Sequence, residues 1–268
     1  MNSDPRHLKK IRDRFTETAD VFAQTVRRTR VEEGLRLAEH ATAGLPNAGE
    51  ILAIDVACGP GTFTRPLAVR VGKAIGVDLT PAMVEKARAE AARDGIANIE
   101  FVRGDIYALP FADASAEIVS CGYAFHHMTE PARALAEMAR VAKPGGHLAI
   151  TDIIVPEGCD GDFQNKVERV RDPSHTSTQS VANFHAMIGT LGLRAVSEHV
   201  HDNWHDFDVW MRNSGQGPGN PVYAQTRALM ESCIENDRSG FHPQRTDEFA
   251  SGLKFMHTVL LLIAEKPQ

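Results

Sequence analysis

Five short apolar runs, with stretches of helical spacing between them, constrain this chain most. ILAIDVA (51–57), AIGVD (74–78), IEFV (99–102), AEIVS (116–120) and HLAITDII (147–154) are nearly continuous in apolar residues. Runs of that length suit strands of a parallel sheet covered on both faces. Between them, TPAMVEKARAEAARDG carries a helix start at Thr80-Pro81 and a stop at Gly95. Its Met83, Val84, Ala87 and Ala91 share one helical face. TEPARALAEMARVAKPGG likewise starts at Thr129, points Leu135, Met138 and Val141 inward, and stops at Lys143-Pro144-Gly145-Gly146.

The pattern weakens after residue 155. A helix is expected over 178–191, ended by Gly192, with strands near 193–200 and 255–264. The polar stretch 203–250 is too long for a simple loop and contains the break NSGQGPGNP. The expected fold is α/β, a Rossmann-like doubly wound, mostly parallel seven-stranded sheet with helices on both faces. Residues 1–48 are read as an N-terminal helical cap, 49–202 with 251–268 as the core, and 203–250 as a helical insertion over the ligand edge.

Charge narrows the function. The net charge of −6 in 268 residues argues against a general nucleic-acid binder. The first thirty residues are basic, with Arg14, Arg27, Arg28 and Arg30 among eight cations. A solvated helix face accounts for them, and an anionic ligand nearby is the other reading. Cys58, Cys121, Cys159 and Cys233 form neither a C-x-x-C pair nor a zinc pattern. MNSDPRHLKK has no apolar signal region, and no run is long enough to cross a bilayer, so a cytoplasmic protein is the default.

In such folds ligands bind beyond the carboxyl ends of the strands. The residues there are Asp55-Val56-Ala57-Cys58-Gly59-Pro60-Gly61-Thr62, then Asp78, then Gly104-Asp105-Ile106. Gly59 and Gly61 let backbone approach a ligand. Thr64 stands where a dinucleotide fingerprint needs its third glycine, and Asp55 beside the loop disfavours a polyanion. Asp78 can accept from both hydroxyls of a ribose, and Asp105 from an exocyclic amine while Ile106 packs on a ring face. Any one acid could be a cap, but three at successive strand ends describe a nucleoside with a cationic tail and no phosphate.

AIDVACGPGTF, AIGVDLTPAMVEKAR, FVRGDIYALPF and RVAKPGGHLAITDI resemble, in order and spacing, the motifs of class I S-adenosylmethionine-dependent methyltransferases. The resemblance spans about residues 50–155 and is nearest the ubiquinone/menaquinone-biosynthesis-like small-molecule branch. RDPSH (171–175) and FDVWMRNSG (207–215) resemble a bacterial subgroup of it. The resemblance implies an enzyme that uses S-adenosyl-L-methionine, releases S-adenosyl-L-homocysteine and methylates a small molecule. It implies that Asp55 holds the amino end of the cofactor, directly or through water, and that Gly59 and Gly61 pass under its methionine part. Ala57 and Thr62 lie in the same loop, and Ala57 stands where many members have glycine. Asp78 would bind the ribose, with Leu79 and Met83 near the adenine. Asp105 would meet the adenine amine, with Gly104 and Ile106 beside it. The backbone at Cys121 would face the methionine amino group.

Two adjacent histidines in YAFHHMTEP follow the fourth strand-like run, beside the expected methyl group. Adjacent side chains diverge and no carboxylate stands at a ligand spacing, so no metal is expected. His126 or His127 is read as a general base or substrate contact, with a hydrogen-bonded pocket wall as the alternative. Phe15, Tyr123 and His175 are further substrate-side candidates, and Asp152 could cap or orient. An RNA methyltransferase, or a non-catalytic or repurposed S-adenosylmethionine binder, is the competing function. The chain is expected to act as a monomer or homodimer, without membrane.

Overall fold

Strand β1 (Leu52–Val56) lies near the middle of the sheet, and the chain builds outward from it in both directions. The computed structural model describes residues 4–268. The other strands are β2 (Lys73–Asp78), β3 (Ile99–Arg103), β4 (Ala116–Gly122), β5 (Ala142–Ile153), β6 (Arg194–Asp206), a two-residue β7 (Gln244–Arg245) and β8 (Leu253–Glu265). Their order is β3-β2-β1-β4-β5-β8-β6, with β7 paired to β8 off this path. The first five are parallel, and β8 runs antiparallel to both β5 and β6. Strand order reverses between β1 and β4, which opens a crevice at their carboxyl ends.

Period-two alternation divides the apolar residues between two faces. Ala53, Ile118, Ala149 and Leu261 join one core cluster, with Leu37, Ala38 and Ala41 of α3 (Val31–Thr42) and Leu67 of α4 (Thr64–Arg70). Ile54, Val119, Ile150 and Leu260 join the other, with Leu135 and Met138 of α6 (Pro131–Val141) and Phe184 and Ile188 of α8 (Val181–Thr190). Helix α5 (Pro81–Arg93) buries Val84, Ala87 and Ala91 against Phe101.

Two further groups of helices complete the fold. α1 (Pro5–Glu17) and α2 (Ala19–Thr29) come from the N-terminus. α7 (Gly161–Arg171), α9 (Phe207–Asn213) and α10 (Pro221–Glu231) form the second group. That group has its own core of Val167, Phe207, Trp210, Met211, Met230, Phe241, Leu253 and Phe255. Each fully buried phenylalanine contributes roughly 1.5–3 kcal/mol, and because Leu253 and Phe255 belong to β8 this core anchors the group to one end of the sheet.

Several expected boundaries move. α3 packs into the sheet core, so the covering part of the N-terminus ends near residue 30 rather than 48. β5 begins at Ala142, directly after α6, and includes the Lys-Pro-Gly-Gly segment. β6 continues to Asp206, so the insertion starts later than 203, and it is helical only over α9 and α10. The sheet path has the seven expected strands, and β7 adds an eighth.

Candidate active site

The crevice is lined by the loops that follow β1 to β4. After β1 the backbone turns through Ala57 at φ 54°, Gly59 at φ 54° and Gly61 at φ 77°. The left-handed region suits glycine and is strained for alanine. Asp78, at the end of β2, fixes this loop. Its Oδ2 accepts from the Gly59 N–H and its Oδ1 from the Thr80 N–H, both at 2.8 Å. Burial raises the Asp78 pKa, and the two backbone donors oppose the rise. Each carboxylate oxygen keeps a further lone pair, and Asp78 borders the cavity. The Thr62 Oγ1 is buried on the same wall with no protein partner. A buried hydroxyl without a partner is costly, which fits a wall completed by a polar ligand. After β3, Gly104 lets the loop close: a Cβ there would lie 2.6 Å from Val77. Asp105 accepts from the Tyr107 N–H at 3.0 Å, and Ile106 lines the cavity beside it.

The N-terminal helices cover this crevice with Leu8, Ile11, Phe15, Phe22 and Val26. Phe15 and Phe22 meet edge to face, centroids 5.5 Å apart. Polar ties hold α1 down. His7 Nε2 donates to the carbonyl of His127 at 2.7 Å, and the Arg14 Nε donates to Asp172 at 3.2 Å. Arg14 also donates to the carbonyl of Asn213, at the end of α9, at 2.9 Å.

A second cavity, the chamber, adjoins the crevice. Phe15, Phe22, Arg30, Tyr123 and His127 border both. Its remaining walls are mostly polar and include Glu33, His126, Glu168, Arg171, Asp206 and His257, with Trp204 and Trp210. Glu168 is fully buried between Arg171 at 2.9 Å and His257 at 2.9 Å. Burial would raise its pKa, but the Arg171 and His257 partners hold it well below the carboxylate range. Arg171 also lies over the Trp210 ring, 4.4 Å from its centroid.

His126 and His127 sit in a short 3-10 turn after β4 and differ in environment. Nδ1 of His126 lies 2.5 Å from Oδ1 of Asp152, a residue that is only 1 % exposed. The carboxylate accepts from Nδ1–H, so in the neutral ring Nε2 carries the lone pair. The hydrogen bond of the ring runs through Nδ1, and His126 borders the chamber. His127 donates from Nδ1 to Ser174 Oγ at 3.2 Å, and that hydroxyl donates to Asp172 at 2.6 Å. Burial, together with the neighbouring His126, pushes the His127 pKa down to about 3.

Residues 54–150 match the family model described as a methyltransferase domain. Residues 54–150 are thus a methyltransferase domain. The uncharacterised methyltransferase YcgJ of Bacillus subtilis is 34% identical over 163 residues, 60% of this chain and 64% of that one. The crystal structure of YcgJ superposes with a TM-score of 0.78, at 27% identity, over 88% of this chain and 99% of that one. A demethylmenaquinone methyltransferase of Lactococcus lactis is 36% identical over 106 residues, 38% of this chain and 42% of that one. The chain therefore spans less than two thirds of the length of these curated relatives in sequence.

Most of the expected cofactor residues border the crevice of this methyltransferase domain: Ala57, Gly59, Thr62, Asp78, Leu79, Met83, Gly104, Asp105 and Ile106. Three do not. Asp55 accepts from Ser120 Oγ at 2.8 Å and from Thr64 Oγ1 at 2.6 Å, which turns its carboxylate into the core. Its burial pushes the pKa up to about 6. Asp55 therefore braces β1 against β4 and α4 and does not border the crevice. Gly61 is required by its φ and by the Phe101 ring, 3.0 Å from where its Cβ would lie. Cys121 points into the core, and the wall at that strand end is Gly122 and Tyr123. Among the substrate-side candidates, Phe15 and Tyr123 border both cavities, and His126 borders the chamber. His175 borders neither. It is buried, stacked 5.6 Å from His126, with Nε2 donating to Asn165 at 2.7 Å. Among the described residues no cluster of His, Cys, Asp and Glu is arranged to hold a metal ion. The sequence reading missed Arg30, Glu33 and the Glu168–Arg171–His257 group as wall residues. Arg30 lay in view within the basic N-terminal run.

Proposed function

We propose that this chain transfers a methyl group to a polar small molecule held in the chamber. The carrying observation is the shared border of crevice and chamber, which supports a cofactor on one side and an acceptor on the other. S-adenosylmethionine, when bound, supplies a methyl group on a sulfonium whose thioether is a good leaving group. The protein then has to orient the acceptor in line and exclude water. Asp78 holds the ribose hydroxyls, Asp105 and Ile106 the adenine, and Phe15 and Phe22 shut the crevice against solvent. His126, oriented by Asp152, accepts the proton of an acceptor hydroxyl at Nε2. His127 is a wall, since a ring with so low a pKa takes no proton near neutrality. The charged chamber lining favours a polar acceptor over a lipid-tailed one.

Four free cysteines, three of them buried, support a reduced cytoplasmic setting, and among the described residues no helix is long and apolar enough to cross a membrane. We read the working form as a monomer or homodimer. The test is transfer of a labelled methyl group into a cell extract split into RNA and small-molecule fractions. Label in the small-molecule fraction is expected. Label confined to RNA overturns the acceptor class and supports the RNA-modifying alternative.

A further inference from the structure

Arg30 sits at the elbow between α2 and α3 and borders both cavities. Three arginines line these cavities. Arg14 is paired with Asp172 and Arg171 with Glu168, whereas Arg30 has no carboxylate partner among the described residues. Its guanidinium carbon lies 3.5 Å from the centroid of the Tyr123 ring. Tyr123 is itself stacked on Phe63 at 6.1 Å, and its N–H donates to the Thr151 carbonyl at 2.7 Å. The stack occupies a face of the guanidinium and leaves the in-plane N–H donors free. A fixed, unpaired guanidinium edge matches a carboxylate in charge and geometry. The chamber wall carries three arginines against four carboxylates, Glu33, Glu168, Asp172 and Asp206. That balance disfavours a doubly charged phosphate.

We propose that Arg30 binds a carboxylate at the junction of crevice and chamber. It comes from the amino-acid end of the cofactor or from the acceptor, and the inference rests on the crevice taking S-adenosylmethionine. The remaining N-terminal cations serve other ends: Arg6 pairs with Asp4, Lys9 with Asp13, and Arg27 with Glu90 and Asp94.

The test uses the full chain and its Arg30→Met and Arg30→Lys variants. Calorimetry with S-adenosylhomocysteine is set against 5′-methylthioadenosine, which lacks the amino-acid end. If the carboxylate is the cofactor's, Arg30→Met weakens S-adenosylhomocysteine about 10- to 100-fold and leaves methylthioadenosine unchanged. Arg30→Lys, which keeps charge without the fork, recovers part of the loss. If it is the acceptor's, S-adenosylhomocysteine affinity holds. Benzoate titrated into that complex then changes the fluorescence of Trp204 and Trp210 in the wild type, but not in Arg30→Met, and benzamide has no effect. Two results overturn the proposal. One is equal weakening of S-adenosylhomocysteine and methylthioadenosine. The other is unchanged S-adenosylhomocysteine affinity with no benzoate response that depends on Arg30. Failure of the cofactor reading is distinct: the wild type would not bind S-adenosylhomocysteine at all.

Discussion

Asp152 and His126 form a buried pair at the ends of neighbouring strands, with Oδ1 2.5 Å from Nδ1. Asp152 also accepts from the backbone N–H of His126 at 3.2 Å and of Ile153 at 2.7 Å, so its position is fixed. The ring of the pair borders the chamber. His126→Gln should lower kcat by about 10²- to 10⁴-fold, the range of general-base catalysis, with S-adenosylhomocysteine affinity unchanged. Asp152→Asn should lower it less, through the lost ring orientation. Near-normal turnover in His126→Gln would reduce the ring to a wall.

His127→Gln should leave the pH profile of turnover as it is, because the ring is already neutral across the working range. A profile that shifts in this variant would give His127 the proton-handling role instead.

Acid should destabilise the fold through its buried neutral histidines. Burial holds the His175 pKa down to about 2 and that of His127 down to about 3. The unfolded state binds these protons first, so stability falls as pH drops below about 6.5. Each such histidine contributes up to roughly 1.4 kcal/mol per pH unit. Asp55 acts with the opposite sign, since its raised pKa adds stability as pH falls from about 6 toward 3.8. Urea midpoints at pH 7.5, 6 and 5 for the wild type and His175→Gln isolate one histidine. The variant should be less stable at pH 7.5, and the gap should close toward pH 5. A constant gap would contradict the burial argument.

Ala57 holds a left-handed backbone that glycine adopts freely. Ala57→Gly should change stability by less than about 1 kcal/mol, relief of strain offsetting the added freedom of the unfolded chain. Ala57→Val should cost about 1–3 kcal/mol and weaken S-adenosylhomocysteine, because a branched side chain resists positive φ. Chemical denaturation of both variants checks this.

Arg14 links α1 to the Asp172-Pro173-Ser174-His175 segment and to the end of α9. Arg14→Met leaves Asp172, 3 % exposed, without its cationic partner. Amide exchange over residues 5–17 should quicken while exchange in β1 and β4 stays slow. Uniform quickening would mean that the tie supports the whole fold rather than the cover.

The five parallel strands were legible because burial on both faces writes itself as continuous apolar sequence. Helix α7 was not, because it buries Gln164, Asn165 and Glu168 beside Val167 and so lacks an apolar stripe. The same polar interior hid the chamber. Strand-end residues could be placed at the crevice from order alone, yet order does not say which way a side chain turns. Asp55 and Cys121 turn inward, and Gly61 serves the Phe101 ring. RDPSH stood out as a motif, but its Asp172 and Ser174 work by tying α1 and His127 in place.

The most direct test of this account is calorimetry of the full chain with S-adenosylmethionine and S-adenosylhomocysteine, repeated in Asp78→Asn. Asp78 holds the loop and offers free lone pairs to two hydroxyls, and a hydrogen bond to a charged group is worth about 1.5–3 kcal/mol. Both ligands should bind the wild type, and Asp78→Asn should weaken each by about 10- to 100-fold. Absence of binding by both ligands to the wild type, or equal affinity in Asp78→Asn, would contradict it.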